Sequence, residues 1–445
     1  MAVSFPTVEE WTRYLETLSP PETIHLGLER MDELLRRLSW RPEAVPVITV
    51  GGTNGKGSTV ALLESILRKA GYRVGAYLSP HLLRYHERIR IGGLDIGEEA
   101  LCAGFSAVER ARGDLPLTFF EFGTAVALWA FREAPVDLAV LEVGLGGRLD
   151  AVNAVDPMAA AVTAVGIDHI EWLGPDRESI GAEKAGIFRS HRPAIVGDPA
   201  PPRSLSDKAV QVGADLWLRG VDFDWMAEGR SGSWSYHGRE VLYRKLPAPA
   251  LAGFIQYGNA ATALALLESL NSRWPVSEPA IRAGLLQARL PGRFEWRQWH
   301  PGPAWCLDVA HNPQAAGVLA DELSRRTPGI PRHLVFGMMR DKDLDGFLGV
   351  LAPLVDVFHP VGLAPPRGLD LGELSRRLHA RLPCARIEPW EDLPEAVMRC
   401  RQLPEPKTVY VVTGSFRTLE RMIPLIESGC SPQASGRMTP GLSRT

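Results

Sequence analysis

A lysine and a serine stand two positions apart in the glycine-rich segment Gly51–Ser58 (GGTNGKGS). Glycines let backbone N–H groups approach a phosphate closely, while a lysine and a hydroxyl supply a cation and a metal ligand. The spacing departs from the usual phosphate-loop pattern because Gly57 separates Lys56 from Ser58. A glycine-rich turn with a solvated lysine is the alternative. The predicted phosphate contacts are Thr53, Asn54, Gly55, Lys56, Gly57 and Ser58.

Further polar residues follow strand-like runs. Glu142 ends the apolar run Asp137–Val143 (DLAVLEV), Ser79 follows Val74–Leu78, and Asp168 and His169 follow Ala159–Val165. The carboxyl ends of parallel strands meet at one edge of a sheet, where α/β proteins place their sites. An acid there is suited to ordering magnesium. The alternatives are an acid that points to solvent and a histidine with a structural role.

The elements that must position these groups are predicted from apolar spacing. Val47–Val50 is a β-branched run typical of a buried parallel strand. After the loop, Leu62, Leu63, Ile66 and Leu67 recur with helical spacing. Strand, loop and helix together form a phosphate cradle at the helix N-terminus. The remaining helices of this half are predicted at Val8–Leu18, around Met31–Leu38, at Glu98–Arg112 and at Thr118–Glu133.

The sequence pattern changes at two places in the rest of the chain. Residues 215–245 are rich in aromatic residues with Gly-Ser turns, which predicts short antiparallel strands in a side sheet. Leu290–Arg293 (LPGR) is the predicted hinge, and beyond it strands and helices alternate again. The predicted fold class is α/β: a mostly parallel sheet domain containing the phosphate loop and a small antiparallel side sheet, and a smaller, C-terminal Rossmann-like domain. The predicted domains are residues 1–290 and 291–427, with a disordered tail at 428–445.

Composition excludes several classes of function. The 445 residues are 45% hydrophobic and 23% charged, and the net charge of −3 gives no basic footprint for nucleic acid. The five cysteines are scattered and have no metal-site spacing, which indicates reduced thiols. No apolar run reaches membrane-spanning length, and the N-terminus does not resemble a signal peptide. We therefore expect a cytoplasmic protein with no nucleic-acid or membrane partner.

Several motifs, in order along almost the whole chain, resemble the folate ligases of the Mur-ligase-like family of ATP-dependent amide ligases. They are Gly52–Ser58, Ser79–Leu82 (SPHL), Glu142–Asp150 (EVGLGGRLD), Asp168–His169, Glu183–Phe188 (EKAGIF), Pro291–Arg293, Asp308 with Ala310–Pro313 (AHNP), Gly337–Met338 with Asp341–Asp343 (DKD), and Thr413–Ser415. Val309 stands where the family pattern usually has glycine. Thr23–Arg30 (TIHLGLER) resembles the bifunctional bacterial form, which also makes dihydrofolate from dihydropteroate.

The resemblance implies a ligase that activates a carboxylate as an acyl phosphate and joins it to L-glutamate. Its implied cofactors are ATP and Mg²⁺ at two sites, with a monovalent cation as a further candidate. By similarity Lys184 is a carbamylated lysine, and Lys56, Lys184 and His311 are the catalytic residues. The implied metal ligands are Ser58, Ser79, Glu142, His169 and Lys184. Asn259, Arg293 and Asp308 resemble an ATP-binding set on the side of the second domain.

The resemblance also implies a pterin pocket whose phenylalanines suit a flat heteroaromatic ring. Its residues are Ile24, His25, Leu26, Thr118, Phe119, Phe120, Glu121, Leu149, Asp150 and Ala151. The implied partners are the small molecules dihydropteroate, folates and glutamate, and a monomer is expected. Three alternatives remain open: a monofunctional folylpolyglutamate synthase, another Mur-type amide ligase, and, outside the ligases, a nucleotide switch built on the same phosphate loop.

Overall fold

The computed structural model describes residues 3–20, 24–41, 44–228, 232–299, 302–402 and 408–428. Thr23 and the predicted tail from residue 429 lie outside these ranges. The chain forms two compact units. The larger unit comprises the chain up to Leu251 together with Ile255–Leu290, and the smaller comprises Ala252–Phe254 with the chain from Pro291. The functional assignment of domains 1–290 and 291–427 stays a prediction.

The helices and strands of the larger unit are listed here in chain order. The helices are α1 Val8–Leu18, α2 Glu29–Arg37, α3 Lys56–Lys69, α4 Glu98–Arg112, α5 Phe119–Glu133, α6 Ile170–Leu173, α7 Arg177–Lys184, α8 Arg203–Val212, α9 Ile255–Ser269 and α10 Glu278–Gln287. The strands are β1 Val47–Gly51, β2 Val74–Tyr77, β3 Ile89–Ile91, β4 Leu94–Asp95, β5 Leu138–Glu142, β6 Ala159–Val162, β7 Pro193–Val196, β8 Asp215–Leu218, β9 Asp224–Glu228, β10 Ser233–His237 and β11 Leu242–Leu246.

The main sheet has the order β4-β3-β2-β5-β1-β6-β7-β8, and only the edge pairs β2–β3 and β3–β4 are antiparallel. Strand β1 lies between β5 and β6 and is buried along its whole length. Its β-branched residues suit a strand covered on both faces. The loop after β1 therefore leaves from the middle of the carboxyl edge, next to the ends of β5 and β6. The predicted mostly parallel sheet is confirmed.

The predicted small antiparallel sheet is also confirmed, as β9, β10 and β11 in the order β11-β10-β9. The prediction was wrong for Asp215–Leu218, which pairs in parallel with β7 at the edge of the main sheet. Trp217 on this strand is buried in the core of the larger unit. Trp217, one of the aromatic residues that indicated a side sheet, therefore lies on a strand of the main sheet.

The smaller unit has a separate core and sheet. Its helices are α11 Pro313–Arg326, α12 Leu344–Leu351, α13 Leu371–Arg381, α14 Leu393–Gln402 and α15 Phe416–Glu427. Its strands are β12 Glu295–Gln298, β13 Ala304–Leu307, β14 Arg332–Phe336, β15 Val357–Pro360, β16 Arg386–Ile387 and β17 Val409–Thr413. In the order β12-β13-β17-β14-β15-β16 only β12 is antiparallel, so the predicted C-terminal α/β fold is confirmed. Among the described residues, no helix is long and apolar enough to cross a membrane.

Close packing of α10 on α3 supports the helix that follows the phosphate loop. A Cβ added at Gly284 would lie 2.5 Å from the Ile66 Cα, whereas one at Gly317 of α11 would meet nothing within 4 Å. We expect Gly284→Ala to lower the free energy of unfolding by about 1–3 kcal/mol, since the helices must separate. The control Gly317→Ala should raise it by about 0.5–1 kcal/mol through helix propensity. Thermal melting of the two variants tests this, and an unchanged Gly284→Ala protein would contradict it.

Candidate active site

The phosphate loop is held by backbone and threonine hydrogen bonds to the residues after β6. Thr53 N donates to Ala164 O at 2.6 Å. Thr53 Oγ1 donates to Gly166 O at 3.1 Å and accepts from Gly166 N at 3.0 Å. A Cβ at Gly52, where φ is +143°, would lie 2.0 Å from Thr163 Oγ1. The loop therefore packs against its neighbour too closely for any side chain at that position.

Helix α3 begins at Lys56 with no side chain capping it, because its N-cap is Gly55 at φ 89°. Its first N–H groups are available to an anion, which the helix dipole also favours. Lys56 Nζ donates to Gly52 O at 3.1 Å and to Thr53 O at 3.3 Å, so the ammonium folds back over the loop. Ser58, two residues further along, is buried. This arrangement can bind the phosphates of a nucleotide.

Asn259 lies against this loop, since a Cβ at Gly55 would come 2.6 Å from Asn259 Oδ1. It stands on α9 and belongs to the larger unit. The expectation that Asn259 comes from the side of the second domain was therefore wrong. Residues Ala252–Phe254 belong to the smaller unit, and the chain belongs to the larger unit again from Ile255, where α9 begins. No local sequence signal marks these two boundaries.

Glu142 stands at the end of β5 beside the loop, with its side chain buried. Ser79 N donates to Glu142 Oε2 at 3.1 Å. A Cβ at Gly57 would lie 3.4 Å from the same oxygen, so the bare glycine keeps the loop close to the carboxylate. A carboxylate with the hydroxyls of Ser58 and Ser79 is an oxygen donor set that suits a hard cation such as Mg²⁺.

The other predicted metal ligands include few of the side chains that usually bind metal ions. His169 has φ 51° at the start of α6, and about a third of its side chain is exposed. The part of the chain that the structure describes contains no group of three or more His, Cys, Asp or Glu side chains that could hold a metal. The predicted set has only two such residues, Glu142 and His169, and its other members are serines and a lysine. Such a set would need additional ligands from phosphate, water or a modified lysine.

Lys184 ends helix α7 and is only 3% exposed. Burial, together with the positive charge of Lys56, lowers the pKa of its ammonium to about 7, against the opposing effect of Asp168 and Asp150. Burial also raises the pKa of Asp150 to about 6, although hydrogen bonds from Leu145 N and Val152 N favour its anion. The site thus contains two lysines within electrostatic reach of each other, and one of them loses its proton near neutral pH.

The predicted pterin residues fall on three segments of the larger unit. Ile24 and Leu26 are half-buried and His25 is exposed, while Phe119 is buried at the start of α5. A Cβ at Gly144 would lie 2.6 Å from the Phe120 ring, which places this ring against the loop 144–150. Leu149 is half-buried, and Asp150 caps a short turn that begins at Ala151. Thr118 and Glu121 form a capping box on α5.

The smaller unit holds the other predicted residues. Both carboxylate oxygens of Asp308 accept backbone hydrogen bonds, from Ala310 N and Phe294 N, each at 2.8 Å. Burial raises the pKa of Asp308, and the Arg293 guanidinium opposes that shift. His311 Nδ1 lies 2.8 Å from Val309 O. Val309 is not among the described non-glycine residues with positive φ, so a β-branched residue fits this position.

Sequence reasoning missed some residues that shape this site. Thr163 Oγ1 donates to Asn54 O at 2.6 Å, and a threonine directly after a buried strand was the available signal. Arg177 and Asp198 are joined at 2.9 Å, and Asp198 also accepts from Val165 N, which fixes the chain before His169. Those two residues lie in separate segments without a motif, so no pattern in the sequence pointed to them.

Comparison with known proteins identifies the family to which this site belongs. The model of the Mur ligase middle domain matches residues 50–198, and that of the Mur ligase glutamate ligase domain matches residues 292–416. The chain is 43% identical to the dihydrofolate synthase/folylpolyglutamate synthase of Escherichia coli over 94% of its length and 95% of the relative. It is 37% identical to the Haemophilus influenzae enzyme of the same name, over 94% of this chain and 97% of that one.

Solved structures agree with this relationship. Escherichia coli FolC in complex with DHPP and ADP superimposes with a TM-score of 0.87 at 42% identity, covering 95% of this chain and 98% of that one. A bifunctional folylpolyglutamate synthase/dihydrofolate synthase with Mn, AMPPNP and L-glutamate bound gives 0.86 at 42% identity, covering 96% and 100%. The two matches define the class as a protein with Mur ligase middle and glutamate ligase domains. Within that class it belongs to the dihydrofolate synthase/folylpolyglutamate synthase family.

The loop geometry generates a first functional prediction. Lys56→Ala removes a cation that is predicted to bind phosphate, so we expect at least a 10²–10³-fold loss of ligation, roughly the cost of one transition-state donor. The matched control is Lys69→Ala at the exposed end of the same helix, which should keep full activity. Phosphate release and melting temperature measured on both proteins check this. Near-normal activity in a folded Lys56→Ala protein would contradict the assignment of the phosphate loop.

Proposed function

We propose that this chain ligates L-glutamate to dihydropteroate, giving dihydrofolate, and extends folates with further glutamate. ATP transfers its γ-phosphoryl group to the substrate carboxylate, forming an acyl phosphate and ADP. The glutamate amine then attacks the acyl carbon, phosphate leaves, and the amine loses a proton as the amide forms. The observation that carries this proposal is the open N-terminus of α3 beside Lys56 and Glu142, in a chain of this family over nearly its whole length.

Charge neutralisation is the physical task of the site. A carboxylate about 4 Å from a phosphate oxygen is repelled by roughly 4 kcal/mol per charge pair at an effective dielectric near 20. Lys56 and the α3 N-terminus would offset this repulsion by binding the phosphates. Ser58, Ser79, Glu142, His169 and Lys184 would hold Mg²⁺ at two sites. When bound, the ions would neutralise phosphate charge and polarise the transferred group. The Mn-bound relative supports a divalent metal.

Lys184 is proposed to act as a carbamate. Its burial at the end of α7, beside Lys56, disfavours a second ammonium. The free amine can react with CO₂, and the product is an anion that could serve as a metal ligand. The support is the Glu183–Phe188 match together with the burial of the position.

The remaining roles follow the family resemblance. Asn259, Arg293 and Asp308 are proposed to contact ATP, and His311 to stand close to the reacting groups. The pterin is proposed to bind among Ile24–Leu26, Thr118–Glu121 and Leu149–Ala151. A monovalent cation is a further candidate cofactor. We also propose a monomer that acts in the cytoplasm, supported by four free cysteines among the described residues.

Parallel assays of two acceptors test the function. Purified protein with ATP, Mg²⁺ and glutamate should release ADP and incorporate glutamate with dihydropteroate and with tetrahydrofolate. Incorporation with tetrahydrofolate alone would indicate a monofunctional folylpolyglutamate synthase. ATP hydrolysis that is independent of both acceptors, without amide formation, would support the nucleotide switch instead.

A set of lysine variants tests the carbamate. Lys184→Ala should lose activity by about 10²-fold or more, and a small carboxylate such as acetate should restore part of it. Lys184→Arg keeps a cation but cannot become a carbamate, so it should be as inactive as the alanine variant.

The control for the carbamate test is Lys208→Ala on α8, whose ammonium donates to Gln211 Oε1 at 3.0 Å. This variant should retain activity. Removal of CO₂ and bicarbonate from the buffer should slow the wild-type enzyme reversibly. High activity in Lys184→Arg would overturn the carbamate assignment.

A further inference from the structure

Arg30 of α2 contacts two segments that lie far apart in the sequence and are both assigned to the pterin pocket. Its Nη2 donates to His25 O at 2.7 Å. Its Nε donates to Glu121 Oε1 at 3.0 Å, and Nη2 lies 2.8 Å from the same oxygen. One guanidinium therefore joins the segment Ile24–Leu26 to the first turn of α5.

Both oxygens of the Glu121 carboxylate accept hydrogen bonds in this network. Oε2 accepts from Thr118 N at 2.7 Å and from Arg30 Nε at 3.3 Å, and the residue is only 3% exposed. In return Thr118 Oγ1 accepts from Glu121 N at 3.2 Å, which completes the capping box. The positive N-terminus of α5 and the guanidinium both stabilise the carboxylate where it stands. It has little capacity left to bind a ring directly.

We propose that Arg30 and Glu121 are positioning residues that hold Ile24–Leu26 at a fixed distance from Phe119 and Phe120, and so set the affinity for the pterin. The inference rests on the proposed function. A planar guanidinium can engage a carboxylate and a carbonyl at once in fixed directions, which a lysine ammonium cannot reproduce. A pocket for a flat ring needs its two walls held at one separation, because small misplacements of a bound substrate reduce catalysis steeply.

A second arginine–glutamate pair in the same unit provides a matched control. Arg112 Nε donates to Glu109 Oε2 at 2.6 Å and its Nη2 to Glu109 Oε1 at 2.8 Å. Arg112 Nη2 also donates to Tyr14 OH at 3.1 Å, so it too joins two elements, α4 and α1. Its side chains are about as buried as those of the Arg30 pair. None of its partners lies on a segment assigned to the pterin.

Steady-state kinetics separate positioning from general stability. In Arg30→Lys and Glu121→Gln we expect the KM for dihydropteroate to rise about 10-fold or more. The KM for ATP and for glutamate should stay within about twofold. Arg112→Lys should lower the melting temperature to a similar extent but leave all three KM values unchanged. An unchanged dihydropteroate KM in Arg30→Lys would overturn the proposal, as would equal effects in Arg112→Lys.

Amide hydrogen exchange gives a readout that does not depend on activity. Exchange at residues 24–28 and 118–122 should be faster in Arg30→Lys than in the wild type, while these segments stay unchanged in Arg112→Lys. Unchanged exchange in Arg30→Lys would overturn the positioning role whatever the kinetics. If the wild type forms no dihydrofolate, the proposed function fails, and the exchange rates alone then decide whether Arg30 holds the two segments together.

Discussion

The site depends first on how the phosphate loop is fastened to the end of strand β6. Thr53 and Thr163 make hydrogen bonds in both directions across this boundary, to Ala164, Gly166, Gly51 and Asn54. Each contributes on the order of 1 kcal/mol, and together they fix the backbone of the loop against the chain that follows β6. The chain after β6 carries Asp168 and His169. One set of contacts therefore positions both the loop predicted to bind phosphate and the segment that leads to His169, a predicted metal ligand.

Two buried charged groups of the larger unit have pKa values far from their ordinary ones. Burial is the main cause that lowers the pKa of Lys184 to about 7; repulsion from Lys56 acts in the same direction, and Asp168 and Asp150 oppose it. Buried Asp150 is itself shifted in the opposite direction, to about 6. Both shifts make the neutral form of a side chain accessible near neutral pH, which is typical of a functional site and is costly elsewhere in a protein.

The sequence predicted those elements whose formation depends on local apolar spacing and turn residues. The buried strand Val47–Val50, the helix after the loop and the alternation beyond residue 290 all follow from apolar spacing and turn residues. The short antiparallel edge strands β3, β4 and β12 did not, because two to four residues carry too little periodicity. Pairing partners are set by tertiary contacts, which is why Asp215–Leu218 was assigned to the wrong sheet. Arg30 and Glu121 stand 91 residues apart, and no spacing rule relates them.

The extra glycine of the phosphate loop lies against an acid of the neighbouring strand, a contact that the sequence alone did not predict. A Cβ added at Gly57 would lie 3.4 Å from Glu142 Oε2 and 3.2 Å from Leu290 Cδ2. Glu142 is buried and accepts from Ser79 N. Its carboxylate therefore stands beside the segment that is predicted to bind phosphate. That proximity is what a cation shared between the carboxylate and a phosphate would require.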